Sequence, residues 1–227
     1  MAKRPALKAQ SMRNPIAALA IALLLNIPSG ALAQVENITR GELALLPEVC
    51  MDVQAIPITG WTQHYRESPR SGYWVSRLGK AFWGMHHYCW ALLHLQRAKQ
   101  GGVPPQHKAH MIRTAIADFF YVIQNADDKF VLLPELYYRI GMAHVQLQQP
   151  VNAMEDFEQS KAAKVDYWPA YVGLADVQAS IGRRAEAIAV LDEGLKLLPE
   201  DPNLLAARKR IEAPRAGAAA KSSAPAR

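Results

Sequence analysis

The chain has 227 residues with 26 basic and 20 acidic side chains, which gives a net charge of +6. Residues 1–33 hold four of the basic side chains and residues 214–227 hold three, without any acidic one, so residues 34–213 are nearly neutral. A neutral body excludes the broad basic surface of a general nucleic-acid-binding protein. It is long enough for one domain with a core of its own.

Residues 1–33 have the layout of a secretory signal peptide. A basic start precedes the uncharged apolar run at 16–25, and Ala31-Leu32-Ala33 is a small-x-small cleavage site. We predict cleavage after Ala33 and a periplasmic or secreted location. The apolar run is too short for a spanning helix, which needs ~20 apolar residues. No stable membrane anchor is therefore expected after cleavage.

Cys50 and Cys89 are the two cysteines of the chain, and both follow the predicted signal peptide. In an exported protein an even cysteine count favours a disulfide. We predict a Cys50–Cys89 disulfide. Two separate buried thiols are the alternative.

The segment at 34–78 is rich in aromatic and turn-forming residues. Leu43–Leu46 predicts a helix of one or two turns before Pro47, but the stretch at 57–74 has neither a helical nor a strand period. We interpret 34–78 as an irregular segment whose aromatic side chains pack on the helices that follow. A loop that lines a cleft is the alternative.

From residue 79 onwards the periodicity is helical. Apolar residues cover most sides of 79–99 and one stripe of 108–125, so these two helices form a degenerate helix pair at 79–125. Residues 134–212 hold the remaining predicted helices, which span 134–147, 151–164, 169–180 and 184–198, with a capping helix from 202. Residues 213–227 have too few apolar side chains to bury, and we predict that they are disordered.

The sequence of residues 134–199 contains two copies of one repeat, which are offset by 34 residues. Gly141 and Ala153 in the first copy are matched by Ala175 and Ala187 in the second, and large residues also recur in register. Small residues are needed where helices cross closely. A period of this length predicts a solenoid of helix pairs.

These residues resemble tetratricopeptide repeats over 134–201. Tyr137, Ile140-Gly141, Ala153 and Phe157 fit the family pattern in the first copy, which departs from it at Gln148 and Val165. The second copy fits with Tyr171, Leu174-Ala175, Ala187, Leu191 and Pro199. The resemblance implies an all-α, helix-pair solenoid with two clear repeats, the degenerate pair in front and an irregular N-terminal segment.

The resemblance also implies a function. First helices of such repeats line a groove that holds a segment of another protein, so we predict a protein-binding scaffold or assembly factor at the cell envelope. No nucleic-acid partner and no cofactor are predicted. Carried over position by position, the resemblance assigns the groove to Glu135, Tyr138, Met142, Val145, Val172, Asp176 and Ala179.

The strongest candidate for a metal-binding or catalytic site is a cluster of three histidines, His86, His87 and His94. Their spacing is not that of a known metal motif, so ligands such as His64, His107 or His110 would be needed. The alternative function is a metal-binding or enzymatic accessory domain built on residues 61–94. Hydrogen bonding within an aromatic core is the simpler interpretation. No catalytic motif is present, so we expect binding rather than catalysis.

Overall fold

α-Helices follow one another along the computed structural model, which describes residues 38–53 and 68–213. These residues belong to one unit that spans Val35–Arg227. The predicted signal peptide, most of the aromatic stretch and the C-terminal tail lie outside the described residues. The α-helices are α1 (Arg40–Ala44), α2 (Ser71–Leu78), α3 (Met85–Ala98), α4 (Pro105–Asn125), α5 (Leu133–Gln146), α6 (Pro150–Ala163), α7 (Trp168–Ser180), α8 (Arg184–Leu197) and α9 (Pro202–Glu212).

The helices pack as antiparallel neighbours in three pairs, which we call the first (α3 and α4), second (α5 and α6) and third pair (α7 and α8). Each pair packs on the next, α5 also lies beside α7, and α9 packs on both helices of the third pair. The predicted all-α solenoid of helix pairs is confirmed. The boundaries of α5 to α8 agree with the predicted ones within one residue.

Two parts of the chain differ from the prediction. Residues 71–78, which were expected to be irregular, form α2, because Trp74, Val75 and Leu78 lie on one helical face against the core. The predicted first helix begins as a 3₁₀ helix at Gly79–Gly84, and α4 begins at Pro105 rather than 108. Proline suits a first helical turn because its missing N–H has no partner there.

Phe157 of α6 holds the second and third pairs together. Its ring is fully buried, and it lies against two glycines, Gly141 of α5 and Gly173 of α7. A Cβ on either glycine would come within 2.7 Å of the ring. Both first helices approach the same aromatic side chain because neither has a side chain at the point of contact.

The turns within the second and third pairs share a left-handed residue at the same register. Gln148 has a φ of 58° and Gly182 a φ of 88°. Glycine adopts a positive φ without steric cost, whereas a residue with a Cβ adopts it at a cost. Gln148 adopts the same left-handed conformation as Gly182, so the departure from the family pattern leaves the turn geometry unchanged.

Residues 38–53, which we call the arm, pack against the first pair. Cys50 and Cys89 form a disulfide with their Cα atoms 5.7 Å apart. Leu43 and Val49 of the arm are buried in the same core as Trp90. The disulfide therefore joins two buried surfaces, and both cysteines are almost fully buried.

Gly141→Ala is expected to lower the free energy of unfolding by about 1–3 kcal/mol, because the added Cβ overpacks the site against Phe157. Alanine's better helix propensity, worth up to about 1 kcal/mol, offsets part of this loss. Gly72→Ala in α2 is the matched control, since no atom lies within 4 Å of its Cβ position. This control should be neutral or stabilising. Urea unfolding measures both, and equal effects would contradict the proposed contact.

Replacing both cysteines by serine is expected to lower the free energy of unfolding by about 3–4 kcal/mol, since 39 positions separate the linked residues. Dithiothreitol should reduce the native protein much more slowly than the urea-unfolded protein, because both sulfurs are buried. Thiol titration follows the reaction. Equal reduction rates would contradict the burial of this bond.

Candidate functional site

The second pair contributes an apolar row to the predicted groove. Tyr138, Met142 and Val145 follow each other at helical spacing on α5. Met142 is 38% and Val145 39% exposed, which is high for apolar side chains within a helix stack. Tyr138 is half-buried, and its ring lies 5.8 Å from that of Phe157. We call this row, together with its continuation on neighbouring first helices, the groove face.

The third pair continues the groove face with polar character. Asp176 of α7 is exposed and forms an ion pair with Arg210 of α9. Val172 is half-buried against the core of the third pair. Ala179 lies beside Asp176 in a cleft of about 610 Å³ that Arg184 and Arg210 also line. The C-terminal end of the face is thus a charged cleft.

Glu135 is held by neighbours rather than open to a partner. Its carboxylate accepts hydrogen bonds from Arg139 Nε at 2.6 Å and from the Tyr88 hydroxyl at 2.8 Å. Burial and the neighbouring Glu135 carboxylate raise the pKa of Tyr88. Since Tyr88 belongs to α3, Glu135 connects the first and second pairs.

Arg139 and Arg210 were not assigned to the groove face from the sequence. Arg139 lies next to Tyr138, and its spacing from Glu135 is that of an i,i+4 ion pair, so a signal was present. Arg210 lies on α9, 34 residues after Asp176, but this helix was predicted only as a cap and the two residues were not connected from the sequence. Its place depends on how the capping helix packs.

The histidine cluster is dominated by internal contacts. His87 Nδ1 lies 2.6 Å from Asp118 Oδ1, and both residues are buried. Burial and the neighbouring His87 lower the pKa of His86 to about 4. Among residues 38–53 and 68–213, no group of three His, Cys, Asp or Glu side chains is placed to hold a metal ion. A site that uses His64 lies outside the described residues.

The arm borders the groove face on the side of the first pair. Glu42 accepts hydrogen bonds from Arg97 of α3, at 2.6 Å from Nε and 3.1 Å from Nη2. These bonds lower the pKa of the Glu42 carboxyl to about 2. Residues 44–47 of the arm face Arg139 across a cleft of about 510 Å³. The arm therefore forms one wall of the candidate site.

None of the helices within the described ranges is long and apolar enough to cross a membrane. This finding concerns residues 38–53 and 68–213 alone.

Residues 134–164, which form most of the second pair, match the family model for the tetratricopeptide repeat (TPR). The predicted resemblance is confirmed there. No curated protein sequence matches the chain.

The chain is similar to several solved structures of TPR proteins. A thermophilic TPR protein from Thermus thermophilus is 16% identical, with a TM-score of 0.49, over 62% of this chain and 68% of that chain. The Arabidopsis OM64 TPR domain is 17% identical, with a TM-score of 0.40, over 55% of this chain and 96% of that chain. The second TPR domain of human RPAP3, solved with an HSP70 peptide, is 17% identical, with a TM-score of 0.41, over 56% of this chain and 99% of that chain.

Glu42→Gln is expected to remove a pH-dependent contribution to stability. The pKa of Glu42 is about 2 in the folded chain against a usual value of 4.5, so its ion pair stabilises the fold above pH 4.5. This stabilisation is lost as the pH falls from 4.5 towards 2. At pH 7 the variant should be less stable by on the order of 2–3 kcal/mol.

Urea unfolding at a series of pH values between 2 and 7 measures this difference. Glu212→Gln is the control, because the ion pair of Glu212 with Arg208 is exposed. It should change the free energy of unfolding by less than about 0.5 kcal/mol. A Glu42→Gln deficit that persists at pH 2 would refute the assignment.

Proposed function

We propose that this chain is a protein-binding scaffold that holds a segment of another protein on the groove face of α5 and α7. The observation that carries the proposal is the apolar row of Met142 and Val145, which is left open beside the charged cleft at Asp176 and Arg210. A row of exposed apolar side chains bordered by polar ones is typical of a binding surface.

The packing of the pairs supports this role because it makes the face rigid. Phe157 fixes α5 against α7, so Met142 and Asp176 keep their places relative to each other. A preformed surface loses little conformational entropy when a partner binds. The match of residues 134–164 to the TPR family model gives independent support.

The chemistry of the face defines the partner segment. Met142 and Val145 provide apolar contact for a side chain of the partner, while Asp176 and Arg210 provide one charge of each sign. Tyr138 adds an aromatic edge beside them. The partner is therefore a polypeptide, and no cofactor takes part in the proposal.

We place this function at the cell envelope, after export. The layout of residues 1–33 supports export, and a disulfide between Cys50 and Cys89 suits an oxidising compartment. The role there is that of a scaffold or assembly factor. N-terminal sequencing of the protein from its own cells should find Gln34 first. A chain that begins at Met1 or Ala2 with two free thiols would overturn the export proposal.

Photo-crosslinking tests the binding face. A photoreactive amino acid at Met142 should give a discrete adduct with a partner in the native cells, because this side chain faces the bound segment. The same group at Glu155, an exposed position on α6, is the control and should give none. Asp176→Arg should weaken the Met142 adduct at least tenfold, since it places a second positive charge beside Arg210.

Mass spectrometry identifies the adduct and the crosslinked residue of the partner. Equal adducts at positions 142 and 155, or none at 142 in cells that contain the folded protein, would overturn the assignment of the binding face.

A further inference from the structure

We propose that the arm, residues 38–53, is an intramolecular ligand of the groove face. It covers the part of the face that α3 contributes, and its release would open a third helix to a partner. The inference rests on the proposed function in one respect, because it assumes that the partner binds the same groove face.

The second helix of each pair, α4 or α6, shows how the first pair corresponds to the second pair. Phe119 of α4 and Phe157 of α6 are both fully buried, and each follows a buried aspartate. The ring centroid of Phe119 lies 6.0 Å from that of Tyr88, and the ring centroid of Phe157 lies 5.8 Å from that of Tyr138. The two helices are therefore equivalent at an offset of 38 residues.

The first helices correspond at an offset of 50 residues. Ala91 and Gly141 are then matched as small buried residues, and Leu93 and Ala143 are matched as fully buried ones. The row of the groove face on α5 consequently has a counterpart on α3. Tyr138, Met142 and Val145 correspond to Tyr88, Leu92 and Leu95.

The counterpart row on α3 is less exposed than the row on α5. Tyr88 is only 3% exposed. Leu92 and Leu95 are half-buried and line one side of the 510 Å³ cleft, and arm residues 44–47 line the other side. Tyr88 lines a second cleft, of about 290 Å³, together with arm residues 47–49. The arm thus lies across the part of the face that belongs to the first pair.

The attachments of the arm are made to the first pair, to α2, and to Ser68 and Arg70 just before α2. The disulfide joins it to Cys89, and Glu42 joins it to Arg97, both on α3. Asp52 accepts a hydrogen bond from Trp74 Nε1 of α2 at 2.7 Å. The stack continues from α4 to α9 through its own helix contacts. Departure of the arm therefore leaves the packing among α5 to α9 in place.

The arm also shows which chemistry the face accepts. It presents the apolar side chains of Leu43, Leu46 and Val49, and it sets one carboxylate against an arginine of α3. The open part of the face has the same elements, with apolar side chains beside Arg139. An apolar segment with an acidic residue is thus the class of partner that would take the place of the arm.

The test uses a full-length variant in which the arm is released. Cys50→Ser and Cys89→Ser remove the tether, and Glu42→Arg sets like charges opposite each other at Arg97. The probe is a fluorescein-labelled synthetic peptide of residues 38–53 with serine at position 50. Its anisotropy should report a Kd at least tenfold lower on the released variant than on the disulfide-closed protein.

Two further substitutions in the released variant locate the peptide. Leu92→Glu should weaken its binding at least tenfold, whereas Val151→Glu, at an exposed position of α6, should leave it unchanged. Amide hydrogen exchange should become at least tenfold faster in residues 38–53 and stay unchanged in α5 to α9. Glu42→Arg alone, with the disulfide intact, should speed exchange in the arm without affecting α5 to α9.

Three results would overturn the inference. They are equal peptide binding to the closed and released proteins, absence of binding to the released variant, and loss of protection throughout α5 to α9 in either variant. The last would make the arm an end cap of the stack instead of a ligand. The peptide assay does not use the natural partner, so its failure leaves the Met142 crosslinking test standing. A missing Met142 adduct likewise leaves the peptide result standing.

Discussion

The contact of Phe157 with Gly141 and Gly173 fixes the geometry on which the candidate site depends. One ring fills the space between two first helices, and it can do so because both helices lack a side chain there. The close approach sets α5 and α7 side by side, and with them the row at Met142 and the charged cleft at Asp176. A larger residue at either glycine would move one helix relative to the other, since cores tolerate overpacking poorly.

The repeat itself could be predicted from the sequence because it rests on local patterns. The small residues at the crossings and the large ones beside them recur at a spacing of 34, and the predicted boundaries of α5 to α8 agree with the structure within one residue. Gly173 carried no such signal, because its counterpart in the second pair is Arg139. Gly173 leaves room for the ring of Phe157, which belongs to the preceding pair. A single copy of the repeat does not contain this contact.

The arm and the polar links of the face could not be predicted, because they depend on contacts between distant segments. Arg97 meets Glu42, and Arg210 meets Asp176, only after the helices have packed. Residues 38–53 have no regular apolar period because their side chains fit the surface of the first pair. Even so, the disulfide pairing followed from the cysteine count and the predicted compartment alone.

Cys89 stands at the register position of Arg139 and Gly173. In the third pair that position meets the preceding pair, whereas in the first pair it is bonded to the arm. At the other end, α9 buries Leu204 and Ile211 against the third pair. Solenoids of this kind grow by adding units to open ends. With α9 packed there, the apolar face of the third pair that a following unit would cover is buried within the same chain.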